Sequence, residues 1–318
     1  MRSAKIYLSY FIFFCVLLFG IIFLLLKINE KIYLKEKKER VEITLGIAQE
    51  YIEYEIDKAL SLAILIANNE KIKEGFIRQD RALLFKEITE QIERLKAGVD
   101  IQELDIHLHT KDLKTYVYSW DFNSFGNELN SFRHGLVKVK ETQRPLGSIE
   151  LGQRLNIKAI SPVMNEGEYL GSAEVILGFK QIQKRLLERG INFFVLMERK
   201  HLDIAIRMKE NPKVDDYVLV SSPCAYTCVE KLTGKLHSDV LENGYLESEG
   251  FVFGFLPFFN FNGERLGYLG IFFEQKLLKE PSILYLFERV QTKQKYEQAE
   301  NIHDLIPKNK HNKKVNIR

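Results

Sequence analysis

The chain has 318 residues, 46% of them apolar and 28% charged, with 46 Lys and Arg against 43 Asp and Glu for a net charge of +3. That is the composition of a globular protein with a sizeable core, long enough for two domains of ordinary size. The near-balance of charge does not argue for a nucleic-acid partner, and no segment but the tail shows a dense basic face.

The first predicted element is a membrane span. Residues 6–26 form a 21-residue run without a charge, bracketed by Lys5 and Lys27. As a helix the run covers about 31 Å, close to the hydrocarbon thickness of a bilayer. No small-residue cleavage site follows it, so the reading is an uncleaved signal anchor. Arg2 and Lys5 favour a cytoplasmic start, but residues 27–40 carry six Lys or Arg and three Glu. Charge alone leaves the orientation even.

A long helical reading follows over residues 28–98. Val41, Leu45, Ala48, Ile52, Ile56, Ala59, Ala63 and Ile66 recur at three and four residues, one apolar stripe on a helical period. Leu60, Leu62, Leu65 and Ala67 widen it. Asn68 and Asn69 mark a break, with shorter helices after it. Such a stripe suits a helix lying on a sheet or pairing with a second copy.

Strands begin near residue 103, where Leu104, Ile106 and Leu108 alternate with Asp105, His107 and His109. Further strands are expected at 116–120, 136–140, 147–151, 156–163 and 171–179. Asn165-Glu-Gly167 is a hairpin signal between the last two. Five or six strands after a helix, with no helices between them, argue for an antiparallel sheet of the α+β class and against a doubly wound nucleotide fold.

A linking helix at 180–189 leads to a second unit. Strands are expected at 191–197, 217–221, 250–258 and 267–273, with Asn262-Gly263 as the last turn. The segment 201–206 reads as a short helix or another strand. The two units end alike: Gly167-Glu-Tyr-Leu-Gly171 and Gly263-Glu-Arg-Leu-Gly267 each follow a proline-bearing strand. They lie about 95 residues apart and read as an internal repeat. Cys224 and Cys228 are open to three readings: a local disulfide, two inert thiols, or a metal or redox pair. Residues 283–304 suit a final amphipathic helix, and residues 307–318 a basic tail.

A string of short motifs now carries a family resemblance. In order they are Gly75-Phe-Ile-Arg-Gln-Asp-Arg-Ala-Leu-Leu84, Ile106-His-Leu-His109, Ser119-Trp120, Phe125-Gly126, Ser131-Phe-Arg133, Gly147-Ser-Ile-Glu-Leu-Gly152, Pro162 and Gly171-Ser-Ala-Glu-Val175. They cover about residues 40–180, and more loosely the chain to about 275. The chain resembles the double Cache sensor domains of bacterial receptors, specifically double Cache domain 3. The resemblance implies an anchored stalk helix and two tandem PAS-like lobes outside the cytoplasmic membrane. It implies a single-pass inner-membrane protein whose main domain is periplasmic or extracellular.

The expected divisions are a signal anchor at 1–27, the long helix and its connection at 28–98, a membrane-distal lobe at 99–182 and a membrane-proximal lobe at 183–278. A C-terminal helix and basic tail occupy 279–318. Chemoreceptors, histidine kinases and diguanylate cyclases carry such lobes, normally with a second span and an output domain. This sequence shows neither, so the expectation is a sensing module that reports through a separate membrane protein. The alternatives are a ligand-free protein that pairs through its stalk helix with a receptor or kinase, and a truncated chemoreceptor. A homodimer through the stalk is also open.

The candidate ligand-binding residues lie in the first lobe. Arg133 can fork onto a carboxylate. Tyr118 and Trp120, with Tyr116, would share one strand face as a stacking wall. His107 and His109 share a face too, but no third ligand is evident beside them, so no metal is expected. Glu174 either accepts from a ligand ammonium, pairs with Arg133, or faces solvent. Arg133 with Glu174 would suit a zwitterion, and Arg133 with Arg144 or Arg154 a carboxylate. The expected ligand is therefore an organic acid, an amino acid or an amine, without a cofactor. No nucleophile elbow, phosphate loop or zinc-protease motif is present, so no enzyme activity is expected.

Overall fold

The computed structural model describes residues 2–220 and 229–275. Cys224, Cys228, the helix expected at 283–304 and the basic tail lie outside the described residues.

A single helix, α1 (Arg2–Ala67), runs from the apolar segment into the first lobe. No proline interrupts it, because none occurs before Pro145. Side chains 11–26 are exposed on every face, and the helix is long and apolar enough to cross a membrane. Beyond residue 40 the expected stripe turns inward: Val41, Leu45, Ala48, Ile52, Ala59, Ala63, Ile66 and Ala67 are buried. Leu65 is exposed and does not widen it, whereas Glu55 is buried there beside Lys58.

The break at Asn68 and Asn69 has a clear cause. Asn69 caps α2 (Glu70–Ile77), its side chain accepting from the amides of Lys71 and Ile72. Asp80 caps α3 (Arg81–Gly98) through the amide of Leu83.

The first lobe is a five-stranded antiparallel sheet. Its strands are β1 (Leu104–Thr110), β2 (Thr115–Tyr118), β3 (Leu146–Glu150), β4 (Asn156–Asn165) and β5 (Glu168–Leu177), in the order β2-β1-β5-β4-β3. The β4–β5 hairpin turns on Glu166 and Gly167, with φ of 49° and 85°, at the expected Asn-Glu-Gly signal.

The strand expected at 136–140 is instead part of α4 (His134–Thr142). Leu136 and Val139 are both fully buried, a spacing of three that a helix places on one face and a strand on two. Gly135 lets α4 lie close on β3, because a Cβ there would run into the Glu150 carboxylate.

A linking helix α5 (Lys180–Leu187) leads to β6 (Asn192–Glu198) and two 3-10 turns, Arg199–Asp203 and Ile206–Met208. The second sheet adds β7 (Lys213–Val214), β8 (Tyr217–Leu219), β9 (Tyr245–Ser248), β10 (Phe251–Phe259) and β11 (Arg265–Glu274), with helix α6 (Ser238–Asn243) before β9. Its order is β7-β8-β6-β11-β10-β9. Apart from the short β7, this is the first sheet's order again: β8, β6, β11, β10 and β9 stand where β2, β1, β5, β4 and β3 stand. The repeated Gly-Glu-x-Leu-Gly segments begin the last strand of each sheet's long hairpin, β5 and β11. The second core is aromatic, built on Phe194, Phe253, Phe255, Tyr268 and Phe272.

Helix α1 serves both sheets. A Cβ at Gly254 on β10 would strike Val41, and one at Gly147 on β3 would strike Ile56. The second sheet thus meets the helix nearer to its apolar end, and the first sheet meets it about 20 Å further along.

Candidate functional site

Alternation along the central strands sorts their side chains. Ile106, Leu108, Ala173, Val175, Ile157 and Ala159 are buried on the α1 side. The opposite face is polar although it is also buried. His107 lies across from Glu174, and His109 across from Ser172, on β1 and β5. Lys158 pairs in register with Ser148 on β3. Arg133, at the cap of α4, closes this face from above.

The polar groups hold one another. Arg133 Nη2 donates to Glu174 Oε1 and lies 3.8 Å from Glu150 Oε2. Ser148 Oγ donates to Glu150 Oε1 at 3.2 Å, and Lys158 Nζ donates to the Leu151 carbonyl at 3.0 Å. His109 Nδ1 meets Ser172 Oγ at 3.0 Å, and His109 Nε2 meets His107 Nδ1 at 2.9 Å. Both of those ring nitrogens approach Glu174 Oε2, at 3.4 Å for His107 and 3.5 Å for His109. Within this cluster three buried atoms have no hydrogen-bond partner among the described residues: His107 Nε2, Arg133 Nε and Glu174 Oε2.

Burial sets the protonation states. It lowers His107 well below the usual imidazole range, with His109 beside it adding to the effect, and it lowers His109 too. Both rings are therefore neutral at pH 7. Burial alone would raise Glu174, but Arg133, the two histidine rings beside it and Lys158 together hold its carboxyl well below the usual range. Burial raises Glu150 against the pull of Arg133. Burial, reinforced by Arg133, brings Lys158 down to about 8.

A cleft of about 1050 Å³ opens on this face. Its first-lobe wall includes His107, Tyr118, Trp120, Arg133, Arg154 and Lys158, and Arg207, Met208, Glu210, Asn211 and Pro212 of the second lobe line the other side. Two contacts join the walls: Arg207 N donates to the Gln153 carbonyl, and Leu155 N meets Met208 Sδ at 3.3 Å. His109, Glu150 and Glu174 lie behind that wall.

The aromatic wall differs from the expected one. Tyr118 stacks on His107 with centroids 4.1 Å apart and on Trp120 at 4.4 Å, and Trp120 stays 42% exposed. Trp120 lies beyond the end of β2. Tyr116 leaves the wall and packs on Phe76, because a register shift at Leu108 and His109 sets Thr115, not Tyr116, opposite His109. Thr115 Oγ1 then meets the Tyr118 hydroxyl at 3.1 Å.

The structure therefore brings together His107, His109, Tyr118, Trp120, Arg133 and Glu174. Glu174 is on the buried face paired with Arg133, not in solvent. Arg154 reaches the cleft, while Arg144 is exposed and absent from its lining. Sequence reasoning passed over Ser148, Glu150, Lys158 and Ser172. Their signal was present as polar residues at alternate positions of β3, β4 and β5.

A family model described as the double sensory domain of two-component sensor kinase, dCache_3, matches residues 35–216. Comparison with curated proteins gives no match. Among solved structures the chain is similar to the sensor domain of the V. cholerae histidine kinase DctB, at 13% identity and a TM-score of 0.46, covering 74% of this chain and 95% of that one. It is similar to the ligand-binding domain of the Campylobacter jejuni chemoreceptor Tlp3 in complex with 4-methylisoleucine, at 11% identity, a TM-score of 0.46, and 79% and 94% coverage. The ligand-binding domain of the Pseudomonas fluorescens chemoreceptor CtaA in complex with L-isoleucine follows at 12% identity, a TM-score of 0.38, and 74% and 90% coverage. The match over residues 35–216 takes in more than half of the chain, from the inner part of α1 through the whole first sheet to β7, and with it the chain belongs to the double Cache domain 3 family of sensory domains.

Proposed function

We propose that this chain is a membrane-anchored, extracytoplasmic sensor whose first, membrane-distal lobe binds a small molecule through a carboxylate. One observation carries the reading: two buried cations, Arg133 and Lys158, stand in the wall of an open cleft, and Arg133 Nε has no protein partner. An unpaired donor on a buried guanidinium is costly, and a carboxylate from the cleft would satisfy it. Tyr118 and Trp120 supply a flat apolar wall for the rest of the ligand. Organic acids and amino acids fit this arrangement. A simple amine does not, since Arg133 and Lys158 would repel it. The rival reading, an interaction protein working through its stalk, would use the apolar stripe of α1, but that stripe faces the protein's own sheets.

A thermal-shift screen of the full chain in detergent, against organic acids and amino acids, tests the proposal. A ligand at 100 times its Kd should add about 2.7 kcal/mol of stability. Arg133→Ala should abolish the shift and Trp120→Ala should weaken it. An absence of hits, or variants that respond like the parent, would overturn the reading.

A further inference from the structure

We infer that His107, His109 and Glu174 form a binding site for a divalent transition cation of the zinc class, held beneath the wall of the cleft. The inference starts from the spacing of three buried ligand atoms. His107 Nδ1, His109 Nε2 and Glu174 Oε2 form a triangle with edges of 2.9, 3.4 and 3.5 Å. Tetrahedral coordination at bond lengths of about 2.0–2.1 Å sets ligand atoms about 3.3 Å apart. A cation just outside the plane of this triangle would meet all three atoms at about those lengths.

Proton placement agrees with this. With Ser172 Oγ accepting from His109 Nδ1, the lone pair of His109 sits on Nε2, inside the triangle. With the ring proton of His107 on Nε2, which has no protein partner, the lone pair of His107 is on Nδ1. Arg133 holds Oε1 of Glu174, so Oε2 is the free oxygen. Each proposed ligand thus has its other polar atom outside the triangle, two of them engaged by a neighbour, which is how outer-shell groups orient metal ligands.

A purely hydrogen-bonded cluster accounts for less. One ring proton can bridge the two imidazoles at 2.9 Å, but Glu174 Oε2 then remains a buried carboxylate oxygen without a hydrogen bond. A cation satisfies all three atoms together. Two imidazole nitrogens beside one carboxylate suit zinc, cobalt or nickel better than calcium or magnesium, which take oxygen ligands. Three protein ligands also leave a fourth position for water or another donor. Arg133 and Lys158 oppose a dication, and the carboxylates of Glu174 and Glu150 offset them. The ion would leave an excess of positive charge, so the site should exchange its metal. His107 lines the cleft and gives the ion a route.

The test is a Co²⁺ titration of the full chain in detergent after chelator treatment. The expected result is one Co²⁺ per chain, with the visible d–d absorption of four-coordinate cobalt, displaced by Zn²⁺. His109→Gln and Glu174→Gln should abolish it while circular dichroism is unchanged. Ser172→Ala should weaken binding about 10- to 100-fold. A folded parent protein without the d–d band, or full binding retained in His109→Gln, would overturn the inference. Should the buried ligand variants fail to fold, the parent titration and Ser172→Ala decide it. The cation site is independent of the carboxylate reading: a carboxylate thermal shift surviving chelation, with no cobalt band, removes the metal alone.

Discussion

Lys158 is the residue at which solution pH should reach the cleft. Its ammonium is buried on β4 beside Arg133, and its pKa falls to about 8. Below that value the side chain is charged and attracts a carboxylate. Above it the charge is lost, so affinity for a carboxylate ligand should fall about tenfold from pH 7 to pH 9. Calorimetry at the two values would measure it, and Lys158→Met should bind weakly and without the slope. Stability runs the other way. The folded chain holds this proton less tightly than the unfolded chain, so the penalty for burying it is complete below about 8 and disappears as pH rises toward 10.5. At this scale the sequence was legible where residue types were distinctive. The paired histidines, the arginine after the turn cluster and the strand-borne glutamate all point to one place. Glu150 and Lys158 were not legible, because a charge alternating with apolar residues usually marks a solvated strand face. Only the arrival of α4 over that face shows that it is covered.

α4 is also the element that the sequence misled on. Five residues of alternation fit a strand, and the spacing of Leu136 and Val139 fits a helix equally well over so short a run. Packing decides it: the helix sets Arg133 at its own start and lays Gly135 on β3. Gly135→Ala would drive a methyl group into the Glu150 carboxylate. The expected cost is about 1–3 kcal/mol, read as a lowered Tm, with weaker ligand binding because the α4 that carries Arg133 must lift. By contrast, the closing hairpins were plain in the sequence. Their turns require a left-handed backbone, supplied by Glu166 with Gly167 and by Gly263, and turn chemistry is local. The bulge that moves Tyr116 off the wall was not visible, since it depends on how β2 registers on β1.

At the scale of the whole molecule, the helix that carries residues 6–26 continues without a break beneath both sheets. The full chain should stay in the membrane fraction after alkaline carbonate washing, and deletion of residues 6–26 should release it. Retention of the deleted form would count against the anchor. The fold as a tandem was legible from the repeated Gly-Glu-x-Leu-Gly ending, and the two strand orders carry the same repeat. The helix itself has a mechanical consequence. Its 66 residues make a rod about 99 Å long, and the strand that bears Glu174 on one face packs its alternate residues toward that rod on the other. A load applied in the cleft therefore crosses only the thickness of one sheet before it reaches a stiff shaft. The shaft needs no hinge and no relay of loops to carry a slide or a twist to its far end.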